Sequence, residues 1–361
     1  MRFTRRRSSL FGLTSFLIVA GLALPAAGQG RDDPDAPLSR DLVSTSRPLT
    51  ASEEDRVRAF TAFQLNVLSD GDVDSMIEAR NAIIKTTTGP DVTGVFLRSF
   101  SNALVPGIQR LLERDSGTDQ FMRAENGLRI LAFLHTPEAL ALLIETTDPD
   151  RCRDEGRRLV AAGLVPVAIE EGLGAAVLVS TARDLAENLL KEPSWLVVLE
   201  ELRGINAIAL SPDLTEQNRA TVRTMQFDTY ARLANAIAAD ANPDPKVKAI
   251  YRAMLGLRER LRGNALAGDV SNQQIASTLR EMLKRVGAAA VKQWDGLTRN
   301  RGLFVAYEGC LRVGSQLLSL LEGDIDRRMN ALAAPMSAVL EGDMSTTEGL
   351  ASLKKAVSAL N

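Results

Sequence analysis

Thr136-Pro137-Glu138-Ala139-Leu140-Ala141-Leu142-Leu143-Ile144-Glu145-Thr146-Thr147 is the stretch that decides the fold class. Leu140, Leu143, Ile144 and Thr147 stand at i, i+3, i+4 and i+7, so at 3.6 residues per turn they share one face of a helix. Thr136 offers a side-chain oxygen to the free N–H groups of a first turn, and Pro137 follows where its missing N–H costs nothing. The stretch predicts a capped helix with an apolar face.

Working outward, the same spacing returns in Trp195, Val198, Leu199 and Leu202, in Val247, Ile250, Tyr251 and Met254, and in Ile275, Leu279, Met282, Leu283 and Val286. Nowhere do apolar and polar residues alternate over a strand's length. Aromatic residues make up only 4% of the chain while Ala and Leu abound, which favours close-packed helices and disfavours a sugar cleft lined with stacking rings. The fold class expected is all-α, an antiparallel helix array.

Helix starts are legible as well. Thr50-x-x-Glu53, Ser271-x-x-Gln274 and Ser345-x-x-Glu348 have the form of capping boxes. Asp148-Pro149 and Ser211-Pro212 repeat the Thr136-Pro137 pattern. Gly71-Asp72, Gly268-Asp269, Gly323-Asp324 and Gly342-Asp343 mark junctions at which the glycine is expected to take the left-handed conformation after a last turn and the residues that follow to cap the next helix.

Residues 102–172 resemble a helical-repeat family. Val105-Pro106-Gly107-Ile108-Gln109-Arg110-Leu111-Leu112 is similar to the second helix of a HEAT (armadillo-type) unit, Met122-Arg123-Ala124 with Leu128 and Leu131 to a following first helix, and Thr136–Leu143 to a second helix again. Asp119 and Asp150 stand 31 positions apart, as do Leu128 and Leu159, and Asp148–Arg153 restarts the cycle. The resemblance implies a HEAT-like α-solenoid over residues 50–210. Beyond Ser211 the helices lengthen, as in Glu216 to Ala239, so residues 211–361 are expected to form a bundle-like region of longer helices.

The N-terminus reads as an export signal. Arg2, Arg5, Arg6 and Arg7 precede an uncharged stretch from Leu10 to Leu24, too short to span a bilayer, and Ala26 and Gly28 fit a peptidase site. Residues 1–28 are expected to be removed, leaving Gln29 first and the protein periplasmic or extracellular. Arg6-Arg7-Ser8-Ser9-Leu10 partly resembles a twin-arginine signal. Residues 29–49, with Asp32, Asp33, Asp35, Pro34, Pro37 and Pro48 and few large apolar groups, read as a disordered linker. Cleavage takes four of the 43 basic residues and none of the 45 acids, so the mature chain carries a formal charge of −6. That balance, without a clustered basic stripe, argues against a nucleic-acid partner. No later uncharged stretch is long enough for a membrane span.

Candidate chemistry is sparse. His135, the one histidine, sits at the end of an apolar stripe beside no nucleophile signature, and is expected to meet helix-terminal carbonyls. Asp70-x-Asp72-x-Asp74 imitates the start of a calcium loop, but Ser75 and Asn81 stand where its turn glycine and bidentate glutamate belong, so helix capping is preferred. Two cysteines 158 positions apart, Cys152 and Cys310, cannot frame a zinc centre with one histidine, and isolated thiols are preferred over a disulfide. The Gly172-Leu173-Gly174 pair lacks the strand and third glycine of a phosphate loop.

Asp148, Asp150, Asp154 and Glu155 would activate water if they converged; with Arg151, Arg153, Arg157 and Arg158 alongside, a solvated face is preferred. Glu170-Glu171 and Glu200-Glu201 are neighbours in sequence, so each pair diverges on a helix. No catalytic, cofactor or metal residue is therefore assigned. The function expected is that of an exported helical scaffold that binds another protein. The alternative is an exported all-α hydrolase or lyase using carboxylates such as those around Asp150.

Overall fold

Helix formation follows the local signals wherever a side chain closes a first turn. Thr50 and Glu53 make a reciprocal capping box, as do Ser345 and Glu348, and Thr136 accepts from the Ala139 N–H with Pro137 at the first helical position. The computed structural model describes residues 34–360, apart from 115–117, 171, 263–271 and 323–326. Among the described residues there are sixteen helices and no strand.

In chain order the first eight are α1 (Arg40–Val43), α2 (Ala51–Asp70), α3 (Val73–Thr87), α4 (Gly94–Leu112), α5 (Thr118–Ala132), α6 (Pro137–Thr147), α7 (Glu155–Ala168) and α8 (Ala175–Lys191). The rest are α9 (Trp195–Ile208), α10 (Glu216–Ala239), α11 (Val247–Arg262), α12 (Asn272–Lys292), α13 (Trp294–Arg299), α14 (Arg301–Glu322), α15 (Arg327–Glu341) and α16 (Thr346–Ser358).

Packing orders them in two rows. In one, α3 packs on α5, α5 on α7, α7 on α9, and α9 on α11. In the other, α2 packs on α4, α4 on α6, α6 on α8, α8 on α10 and α10 on α12. Consecutive helices close each layer, α6 against α7 and α8 against α9, and beyond α11 the first row continues through α14. From α2 to α10 each helix thus meets a chain neighbour and the helix two further on, which is the contact pattern of a helical repeat.

The repeat is longer than the 31 positions expected from sequence. In the first row Ala124, Ala161 and Val198 are 37 apart, as are Leu128, Val165 and Leu202, and Leu131, Ala168 and Ile205, and all nine are buried. Asp150 lies in the turn before α7 and does not correspond to Asp119, near the start of α5, which is why pairing them shortened the period.

No packing break falls near 210. From Pro34 onward the chain clusters as one compact unit, because α8 on α10 and α9 on α11 carry both rows across that point and the longer helices extend the layers without interrupting them. Residues 34–49 are also not a bare linker. Leu42 in α1 is buried, Leu38, Val43 and Leu49 pack against the core, and Thr93 donates its backbone N–H to the Val43 carbonyl at 3.1 Å. The four apolar residues that achieve this are too few to register in the composition. Residues 1–33, and the signal segment 1–28 within them, lie outside the described residues, as do the Gly268-Asp269 and Gly323-Asp324 junctions and Ser271.

Several local expectations need correction. Gly71 is extended, not left-handed (φ −69°, ψ 165°), and a side chain there would strike the Val67 carbonyl, whereas Gly342 does take the left-handed form (φ 86°). Asp148 and Ser211 do not cap the starts of helices. Each accepts from the N–H two residues on, closing a turn around its proline, and the caps of α7 and α10 are Asp154 and Thr215.

Cations reach from one layer to the next, with Arg157 buried, Arg123 half-buried and Lys292 exposed. Arg123 of α5 donates to the Leu68 and Gly71 carbonyls at the end of α2, at 2.9 Å each, and Arg157 of α7 donates to Leu112 O at the end of α4, at 2.8 Å. Lys292 reaches Ala239 O at the end of α10. Helix C-terminal carbonyls lack intrahelical partners and carry partial negative charge, so a cation satisfies both deficits. Among the described residues no helix is long and apolar enough to cross a membrane.

Candidate functional site

The second row brings α6 and α8 together along a groove of about 580 Å³. One wall is Pro137, Ala141, Ile144, Glu145 and Asp148; the other is Val177, Ser180, Asp184, Glu187, Asn188 and Lys191. Apolar floor and polar rim follow from helix phase: Ile144 turns inward and is buried, whereas Glu145, Asp184 and Glu187 turn outward. At one end Lys191 Nζ lies 2.9 Å from Asp150 and 3.7 Å from Asp148, and the Asp150 hydrogen bond is the main reason its pKa is raised. Midway, burial pushes the Asp184 carboxyl upward, with Glu187 one turn away adding to the shift and Arg183 opposing it.

Beneath the groove lies a buried polar cluster drawn from four helices. The Asn188 side-chain amide of α8 donates to Thr147 Oγ1 at the end of α6 at 3.1 Å, and the Thr147 hydroxyl donates onward to Ile144 O. Arg158 of α7 donates through Nε to Glu192 Oε2 at 2.6 Å and through Nη2 to Oε1 at 3.1 Å, and its Nη1 reaches Cys152 O at 2.9 Å. Glu192, which follows α8, also accepts the Ser194 N–H at 2.7 Å. Burial lowers the Arg158 pKa, but the bonds to Glu192 outweigh it and leave the guanidinium above its ordinary value.

Glu201 of α9 completes the cluster. It is 0% exposed, and neither carboxyl oxygen meets a donor in hydrogen-bonding geometry among the described residues. Burial holds its pKa well above the ordinary glutamate value, with Glu192 adding to the rise; Thr147 and Arg158 oppose it and Asp148 adds a little more. The Thr147 hydroxyl is already given to Ile144 O, so its influence on Glu201 is that of a nearby dipole and not of a bond.

The acids around Asp150 do not converge. Asp148 closes its turn by accepting the Asp150 N–H, Asp150 faces Lys191, Asp154 caps α7 through the Arg157 N–H at 3.0 Å, and Glu155 accepts from the Ser194 hydroxyl at 2.6 Å. Of the flanking arginines, only Arg151 and Arg153 stay exposed. Arg157 and Arg158 are buried, which corrects the reading of all four as a solvated face. Glu200 and Glu201 diverge as the helix requires, the first to Arg203 on the surface and the second inward.

The other candidates have structural partners. His135 takes a left-handed backbone (φ 48°) after α5, and its Nδ1 lies 3.3 Å from Ala168 O at the end of α7. Asp72 accepts the Ser75 N–H at 2.8 Å and caps α3, and Asn81 meets Arg80. Cys152 and Cys310 are both free thiols; Cys310 is fully buried, which pushes its pKa up. Glu170 is exposed, and Glu171 lies outside the described residues. Gly172 is left-handed, and Gly174 precedes α8 with no side-chain cap. Among the described residues no group of three or more His, Cys, Asp or Glu is placed to hold a metal ion.

The burial of Arg158, Glu192 and Glu201 in one cluster was not anticipated from the sequence, although one signal was present. Glu201 shares a helix face with Val197, Val198, Ile205 and Ile208, all buried, so counting helical phase puts it inside. Compared with known proteins, the chain matches no family model, no curated protein and no solved structure.

Proposed function

We propose that this chain is an exported, HEAT-like helical-repeat protein that binds another protein through the groove between α6 and α8. The observation that supports this reading is the groove itself: about 580 Å³ running along both helices, with an apolar floor and a charged rim. Repeat arrays recognise partners in this way, because stacking leaves surface helices side by side and their outward residues free to vary. Export rests on the basic start, short apolar stretch and small residues of positions 1–28. The acids around Asp150, each engaged in a turn, cap or surface contact, give the enzymatic alternative no converged site there.

Site-specific photocrosslinking in cells that make the protein tests the reading. A crosslinker in place of Ser180 or Glu187, both exposed on the groove, is expected to trap one protein of discrete mass. A crosslinker at Glu78, exposed on α3 away from the groove, serves as the control. No adduct from the groove positions, or the same adduct from Glu78, refutes it.

A further inference from the structure

Two carboxyl groups and one guanidinium share the interior beneath the groove. Arg158 directs Nε and Nη2 to Glu192 and Nη1 to the Cys152 carbonyl, and none of its nitrogens bonds to Glu201. Glu201 is therefore left with no cation of its own in this cluster and no donor to either oxygen. It lies on α9, which packs against α7, α8, α10 and α11, so it is held at a joint where two successive layers of the array meet.

We propose that Glu201 is a proton-operated joint: as a neutral acid it packs within the α7, α8 and α9 layer, and its ionisation separates α9 from α7 and α8. The reaction is loss of one proton from the carboxyl to solvent, leaving a carboxylate. That new charge sits with Glu192 at the end of α8 and Asp148 after α6, both of which repel it, and with Arg158 on α7, already committed. On the remaining packed elements, α10 carries the buried Arg223, and α11 directs Lys248 and Arg252 to the Trp195 ring of α9 at 5.2 and 5.0 Å. A carboxylate without hydrogen-bond donors is not stable in such an interior, so the charge is accommodated by opening the layer to water. Burial and Glu192 both favour the protonated form, which sets the direction of the response: the joint is closed at low pH and loosens as pH rises. The inference holds whatever the array binds.

Hydrogen exchange by mass spectrometry on the whole chain, corrected for intrinsic exchange, tests it across a pH series in wild type and Glu201→Gln. If opening releases one proton, protection in α7, α8 and α9 of the wild type falls about tenfold per pH unit above the ordinary glutamate range. Peptides from α14 and α16 should stay flat, and so should all peptides of Glu201→Gln, in which the amide cannot ionise. Equal pH slopes in the two proteins overturn the proposal. Should Glu201→Gln not fold, carbon-detected NMR of carboxyl-labelled glutamate in the wild type decides instead. One resonance that stays in its protonated position well above the ordinary range supports the joint, and ordinary titration of every glutamate overturns it.

Discussion

Replacing Arg158 with Met tests whether the buried ion pair is a structural tie between layers. The side chains of Arg158 and Glu192 are 5% and 0% exposed, so solvent does not screen their interaction, and the discount that applies to surface pairs does not apply here. Arg158→Met removes the two charge-assisted bonds to Glu192 and the bond to Cys152 O, and leaves a carboxylate buried beside Glu201. Removing one partner of such a pair typically costs roughly 3–5 kcal/mol, because the remaining charge must stay unpaired or take up a proton. Met fills much of the volume of the lost side chain, so a cavity contributes little. Urea denaturation of the whole chain at neutral pH, with the slope checked for constancy, reads this directly as a shift in midpoint.

The double variant Arg158→Met/Glu192→Leu separates charge from packing. With both charges gone, Met and Leu pack where the ion pair stood, and most of the lost stability is expected to return. Recovery falls short by about 1–3 kcal/mol, because the Ser194 N–H and the Cys152 carbonyl lose their partners. A loss below about 1 kcal/mol for Arg158→Met would place the pair with exposed ones and refute the reasoning, as would a double variant less stable than the single.

Further outcomes follow from individual groups. Glu53 accepts from Arg47, from the Thr50 N–H and from the Thr50 hydroxyl, and these bonds hold its pKa at about 2. Because that value is depressed, its contribution to folding is present above the ordinary carboxyl range and is lost as pH falls through about 2. Carboxyl carbon titration by NMR should show this midpoint and an upward move in Arg47→Ala; a midpoint at the ordinary value refutes the capping geometry. Thiol labelling of the native protein should modify the half-buried Cys152 before the fully buried Cys310, and denaturation without reductant should release two thiols per chain. Fewer than two would mean a disulfide.

The sequence by itself determined what depends on neighbours along the chain. Leu140, Leu143, Ile144 and Thr147 form the buried stripe of α6, Thr50 with Glu53 and Ser345 with Glu348 close their capping boxes, and Glu216 to Ala239 is one helix, because helical phase and first-turn hydrogen bonds involve residues within four positions of each other. Asp72 was readable as a cap, whereas Asp148 was assigned to a helix start that it does not close. What only tertiary structure decided is which charges go inside. Arg123, Arg157 and Arg158 look like surface residues in a charged stretch, and they are drawn inward because helix ends and a glutamate tens of residues away lack partners there. Glu201 became the unpaired member of its cluster because Arg158 serves Glu192 first, and that competition exists only once α7, α8 and α9 are packed together.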